Sequence, residues 1–391
     1  MLKLKKFSFV NIWMDNKKHD IPLDKNFTVL TGYNGSGKTT ILELLHDSIS
    51  LVHDGEFLTD LTNWSTQAIF SNDAALRTFN YLDVDNSKEK DEKIQGLELT
   101  NLNEDFMDSH IRFNNAILDL GEEFSSNKKS KELSTPKDTG RRRTRSYCLT
   151  CLINAEESKY PNSIFYKNEQ FYYNTDHDED AISELDIFSG GNSIDKTLYL
   201  LLNEYVTKSA QHEPKIKSKE EFFEFMTKLA LEYEDKNEDS DSLADFNVKI
   251  SSAINDLYEK YKDHSKTKWS AKLHDLLSKF FRLTNRKLVL DKNGYFSLAL
   301  KNGKKVRWYN FSRGEKTLLS LFLIVFLNRD KNVIFIFDEP DLSLHIEWQD
   351  LLLPAFKELA PNRKFIISTH SPALIGNVGE RFVNVTDLMG S

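Results

Sequence analysis

Gly32-Tyr33-Asn34-Gly35-Ser36-Gly37-Lys38-Thr39-Thr40 decides how this chain is read. It satisfies G-x-x-x-x-G-K-[ST], and the residues on either side suit that pattern. Ahead of it, Phe27 to Thr31 is a short β-branched run of the kind that forms a buried strand. Behind it, Ile41 to Leu45 opens a helix. The glycines let the backbone turn its N–H groups inward at a helix N-terminus, where the helix dipole also favours an anion. Asn34, Gly35, Ser36, Gly37 and Thr40 are therefore expected to cradle phosphate. Lys38 is expected to meet the β- and γ-phosphates, and the Thr39 hydroxyl to ligate Mg²⁺. A glycine-rich turn before a helix arises by chance. Strand, loop and helix in that order point instead to a bound nucleoside triphosphate.

The rest of the composition narrows the field. At 391 residues the chain is long enough for two or more compact units. A net charge of -8 gives no whole-protein attraction for nucleic acid or an anionic membrane. Met1 to Val10 alternates like a strand and has no signal-peptide core. The apolar run Leu318 to Leu327 is about half of a membrane span, so it is expected to be a buried helix and the protein to be cytoplasmic. Cys148 and Cys151 form a lone C-x-x-C, and on a strand that spacing points the two thiols to opposite faces, so both are read as structural.

The fold class expected is α/β, a P-loop head with a mixed, largely parallel sheet, an antiparallel β subdomain and a helical insertion. Residues 1–190 are assigned to the first part of the core, 191–285 to the insertion and 286–391 to the second part. Within the first part, Ser125 to Pro136 reads as a polar loop, and Asp105 to Phe124 as an amphipathic helix. Ser163 to Lys167 and Gln170 to Tyr173 read as a hairpin turning at Asn168. Arg141 to Arg145 suits phosphate or an acidic partner, and a solvated salt-bridging cluster equally well. The insertion is read as helices at 195–209, 217–233, 243–261 and 270–283, without a sustained heptad. After it, Lys292-Asn293-Gly294 marks a hairpin.

The C-terminal part carries the remaining chemistry. Val333 to Phe337 is wholly apolar, as a parallel strand covered on both faces must be, and it ends in Asp338-Glu339. Asp338 is expected to hold Mg²⁺ and Glu339 to orient or deprotonate the attacking water. Lys364 to Ser368 reads as the next strand, placing His370 where it can reach a γ-phosphate. Phe311-Ser312-Arg313-Gly314-Glu315-Lys316 precedes the buried helix, and a turn of small residues there is a second anion site.

The ordered set Gly32–Thr39, Phe311–Lys316, Ile334–Glu339, Asp341–His345 and His370 resembles the ABC-type ATPase heads of the RecF, SMC and OLD group. The runs 338–345 and 368–372 are similar to its stand-alone branches, among them ATPase subunits of bacterial anti-phage systems such as PARIS and Septu. The match covers about residues 1–45 and 305–385. Arg313 and Lys316 depart from the usual transporter residues and lean away from a transporter subunit. The resemblance implies ATP and Mg²⁺ as cofactors, with catalytic roles for Lys38, Glu339 and His370. It implies that Ser312, Gly314 and Glu315 belong to a signature turn reaching a nucleotide bound by a second copy, hence a homodimer or a higher homo-oligomer. It also implies a Mg²⁺-sensing glutamine, for which Gln67 is the early candidate.

Only residues 380–391 follow the histidine strand and its turn, which leads to the expectation of a stand-alone head. The expected job is control of a separate effector, a nuclease or toxin, in anti-phage defence, triggered by a phage protein or DNA. The competing expectation is a RecF-like, DNA-binding ATPase of repair or maintenance.

Overall fold

A computed structural model describes residues 2–13, 17–53, 58–61, 63–83, 105–108, 110–111, 128–134, 145–168, 170–172, 193–212, 268–376 and 381–389. The expected helices at 217–233 and 243–261, residues 141–144 of the arginine cluster and most of 105–124 lie outside these residues. Two compact units are present, one of Met1–Leu198 with Phe311–Ser391 and one of Tyr199–Asn310. The second unit starts and ends later than the 191–285 expected for the insertion.

The first unit contains two sheets. Strands β1 (Leu4–Val10), β2 (Lys18–Pro22), β4 (Ser65–Phe70), β5 (Ala75–Asp83), β6 (Lys128–Ser134) and β7 (Arg145–Ile153) form an antiparallel sheet in the order β2-β1-β4-β5-β7-β6. Strands β3 (Phe27–Thr31), β8 (Asn162–Lys167), β9 (Gln170–Tyr172), β13 (Val333–Asp338), β14 (Lys364–Ser368) and β15 (Arg381–Asn384) form the other, in the order β15-β3-β14-β13-β8-β9. All its pairings are parallel except β8–β9, the hairpin expected at Asn168, which sits at φ 51°.

Residues 128–134 correct one expectation. The polar stretch read as a loop is strand β6, paired along its length with β7. Strand β6 ends the sheet order, and an edge strand is held by backbone bonds on one side, so it needs no apolar alternation to declare it. Cys148 and Cys151 lie on β7, both buried and unbonded to each other.

Helix α1 (Lys38–Ser50) packs against β8, β13 and β14 of the parallel sheet and against β4 and β5 of the antiparallel one. Its buried Ile41, Leu42, Leu44, Leu45 and Ile49 join Phe7, Phe9, Trp64, Phe70 and Ile336 in one core. Helix α4 (Arg313–Asn328) is buried from Glu315 to Asn328, which explains its unbroken apolar run. Helix α5 (Ile346–Leu359) stacks Phe356 on Phe365 at 5.6 Å and meets Phe322 of α4 at 5.5 Å. Phe365 also stacks on Phe27 and Phe335, at 4.7 and 4.9 Å. This aromatic column crosses β3, β14 and β13, and each large ring contributes roughly 3 kcal/mol or more against truncation. It fixes the three strands that carry the site. Short helices α6 (Pro372–Gly376) and α7 (Val385–Met389) flank β15.

In the second unit, helix α3 (Lys268–Leu283) and a sheet of β10 (Lys287–Leu290), β11 (Phe296–Ala299) and β12 (Lys305–Arg307) surround Tyr205 of helix α2 (Ser193–His212). The Tyr205 ring lies 5.0 Å from Phe296 and its hydroxyl bonds His274 Nε2 at 2.9 Å. The hairpin predicted at Lys292-Asn293-Gly294 is β10–β11, with Gly294 at φ 83°.

Candidate functional site

Parallel register brings the carboxyl ends of β3, β14 and β13 level, because Ser368 pairs with Leu30 on one side and Asp338 on the other. The phosphate loop leaves β3 at this edge and turns into α1. Gly37 occupies the cap position of α1 at φ 92°, and no side chain caps the helix. The first-turn N–H groups therefore remain directed at the loop. Gly35 is also at positive φ, 77°, a conformation that a side chain would strain. A Cβ on Gly37 would come within 3.0 Å of Trp13 Nε1, which donates to Ser36 O at 3.2 Å. The loop is thus clamped from outside by an indole that no local pattern announces.

Lys38 Nζ donates to Gly32 O and Tyr33 O, each at 3.1 Å, folding over the loop mouth. Burial lowers its pKa, while the nearby charges of Glu339 and Asp338 act to raise it. Ser36 Oγ is buried without a hydrogen-bond partner among the described residues. An orphaned hydroxyl beside uncapped N–H groups and an ammonium fits a polyanion.

Thr39 Oγ1 donates to Asp338 Oδ2 at 2.9 Å across 299 positions of sequence. Ser368 Oγ donates to the other Asp338 oxygen. The carboxylate is aimed by two hydroxyls from two neighbouring elements. Thr39 and Asp338 offer the hard oxygens that Mg²⁺ takes, with its remaining positions suited to phosphate and water. Among the described residues no group of three or more His, Cys, Asp or Glu is gathered for a metal.

Glu339 follows at φ 47°, a left-handed conformation costly for a non-glycine residue and often found at functional sites. Its N–H bonds both Ser368 O and Ser368 Oγ at 3.1 Å, which holds the strained turn. His370 Nε2 stands 3.4 Å from Glu339 Oε1, and both side chains are accessible. Thr369 Oγ1 donates to Asp341 Oδ1 at 2.8 Å, tying the histidine turn to the segment after Glu339. Burial raises the Asp341 pKa.

The signature turn is built differently. Ser312 caps α4 in a capping box, with Ser312 Oγ accepting from Glu315 N and Glu315 Oε2 accepting from Ser312 N at 2.7 Å. A Cβ on Gly314 would lie 2.5 Å from Ser343 O, so this glycine is required by close backbone approach. Lys316 pairs with Asp195 at 2.6 Å, giving this departure from transporter sequences a local partner.

The structure thus brings Lys38, Thr39, Asp338, Glu339 and His370 to one edge. Gln67 has no hydrogen bond to any of these among the described residues. It is buried on β4 and its Oε1 accepts from Arg77 Nε at 2.8 Å. Sequence reasoning passed over Ser368, whose value lies in the strand register, and Thr386, whose hydroxyl accepts from Tyr33 N at 3.1 Å.

Residues 27–376 match the family described as "AAA domain, putative AbiEii toxin, Type IV TA system". The chain belongs to this AAA family. Its motif set resembles that of the ABC-type ATPases of the RecF, SMC and OLD kind. It is 24% identical over 390 residues to "Retron Vc95 probable ATPase" of Vibrio cholerae serotype O1 biovar El Tor, covering 93% of this chain and 69% of the relative. It is 35% identical over 83 residues to "Retron Ec83 probable ATPase" of Escherichia coli, covering 18% of this chain and 15% of that protein. Among solved structures, the Smc head domain of Pyrococcus furiosus bound to the C-terminal domain of ScpA aligns over 99% of this chain and 95% of that one, at 16% identity and a TM-score of 0.42. The SMC head domain of Thermotoga maritima aligns over 98% and 96%, at 14% identity and a TM-score of 0.38. No helix among the described residues is long and apolar enough to cross a membrane.

Proposed function

We propose that the protein binds and hydrolyses ATP as its magnesium complex, in a dimer that sandwiches two nucleotides, and that this cycle controls a separate effector in anti-phage defence. The observation that carries the ATPase reading is the bond from Thr39 to Asp338, with the Glu339–His370 contact one residue further on. Together they join three motifs far apart in sequence at one sheet edge.

In this reading the α1 N-terminus and Lys38 bind the phosphates. Thr39 and Asp338 would hold Mg²⁺, which would supply charge neutralisation for the phosphates. Glu339 orients and deprotonates the attacking water, its carboxylate lying 3.4 Å from His370 Nε2. His370, beside it, reaches the γ-phosphate. Ser312 and Gly314 act across the dimer on the nucleotide held by the other copy, since the capping box leaves the Ser312 O–H and the Gly314 N–H able to donate. ATP rather than GTP is supported by the ATPase names of the retron relatives and by the resemblance to ABC-type heads. A role for Gln67 in sensing Mg²⁺ would need its bond to Arg77 to break.

The defence role is supported by the retron name of the relative that spans most of the chain, and by the anti-phage ATPases the motifs resemble. Phosphate release from ATP by the purified chain tests the first part, and Glu339→Gln should abolish it while retaining nucleotide. Gentle purification from the native host tests the second. A toxin or nuclease should accompany the ATPase, and isolation with no such protein counts against the role.

A further inference from the structure

One charged pair at the same sheet edge has no part in the chemistry above. Glu43 lies on α1 four residues after Thr39, so both side chains share a helix face. Lys167 is the last residue of β8, and the parallel register of Tyr166 with Phe337 places it beside Asp338. Lys167 Nζ and Glu43 Oε1 form a close ion pair whose side chains are 28% and 12% exposed. Largely removed from water, each charge is felt by its neighbours. Burial raises the Glu43 pKa, and the Glu43 carboxylate raises that of Lys167 against burial; the charge of Asp338 adds a smaller push upward to both.

The arrangement sets a charge count. Asp338 faces the Thr39 hydroxyl, and Glu43 stands one turn behind Thr39. An unpaired Glu43 would add a third carboxylate, after Asp338 and Glu339, to the region that receives a triphosphate. It would repel that polyanion and offer a divalent cation a rival to Asp338. A half-buried carboxylate is also poorly solvated, so a partner held in place matters more here than at an open surface.

We propose that Lys167 is a positioning residue for the nucleotide: by holding Glu43 it neutralises a further carboxylate beside Asp338, so that metal and triphosphate meet Asp338 and Glu339 without a third unpaired carboxylate. This inference rests on the nucleotide-binding reading. Lys167 acts through Glu43, and the role belongs to the pair.

The test is titration of the full chain with a fluorescent, non-hydrolysable ATP analogue, once in EDTA and once in Mg²⁺. Lys167→Met should weaken binding about tenfold in EDTA, where the analogue carries its full charge, and less in Mg²⁺. Lys167→Arg should restore the wild-type affinity. The double variant Glu43→Gln with Lys167→Met removes both charges and should also bind like wild type, where a merely structural defect would persist. Equal weakening in EDTA and Mg²⁺, or a double variant as weak as Lys167→Met, overturns the role of Lys167 while leaving nucleotide binding standing. A wild-type chain that binds the analogue under neither condition overturns the nucleotide reading, and this inference with it.

Discussion

The phosphate loop and the signature turn are both helix N-termini made of small residues, yet they treat their backbone donors in opposite ways. At α1, Gly37 caps without a side chain and Ser36 Oγ has no partner among the described residues. At α4, Ser312 and Glu315 close reciprocally on each other's N–H groups. The first terminus is open and able to bind an anion alone. The second has two of its donors, the Ser312 and Glu315 N–H groups, taken up within its own chain, which leaves fewer for an anion. Such a terminus makes a poor primary site and a good conditional one, engaged when a nucleotide already held elsewhere is brought to it.

Four substitutions sharpen that contrast, taken from the largest effect to the smallest. Glu339→Gln removes the base and should lower turnover by about 10³-fold while leaving binding intact. Radiolabelled ATP retained on the variant would record this, and unchanged turnover would remove Glu339 from its role. Lys38→Ala takes the ammonium from the open terminus. Affinity should fall by about 10²-fold in an equilibrium titration, roughly 2.7 kcal/mol. Gly314→Ala forces a methyl against Ser343 O, so the turn must shift at a cost of about 1–3 kcal/mol in denaturant unfolding. Turnover should fall with it, with affinity for ATP in the isolated chain unchanged. Ser312→Ala opens the capping box and should lower stability by about 1 kcal/mol. If Ser312→Ala weakened ATP binding as much as Lys38→Ala, the contrast between the termini would collapse.

Much of this site was legible because it depends on local pattern. Gly32–Thr40 needed only its own spacing, and Val333–Glu339 only an apolar strand with acids at its end. The Lys292–Gly294 hairpin was marked by its turn residues. What escaped was set by register and packing. Ser368 aims Asp338 because β13 and β14 are level, and Trp13 clamps Ser36 across 23 positions. Edge strand β6 has no apolar alternation, so its polar sequence read as a loop. Gln67 was chosen for its place in the chain, but its strand directs it to Arg77. Lys167 and Glu43 carried no motif at all; the parallel pairing of β8 with β13 places Lys167 beside Asp338, and Glu43 comes there on α1, one turn after Thr39.

The central claim is that the phosphate loop is half of a site completed by another copy. Mixing two inactive variants tests it most directly. Lys38→Ala keeps an intact signature turn, and Gly314→Asp keeps an intact loop, so a mixed dimer contains one complete pair. Phosphate release should be near background for each variant alone and should recover when they are combined, rising with the concentration of the mixture. A mixture no more active than its parts, or a Gly314→Asp chain with full turnover, would contradict the account.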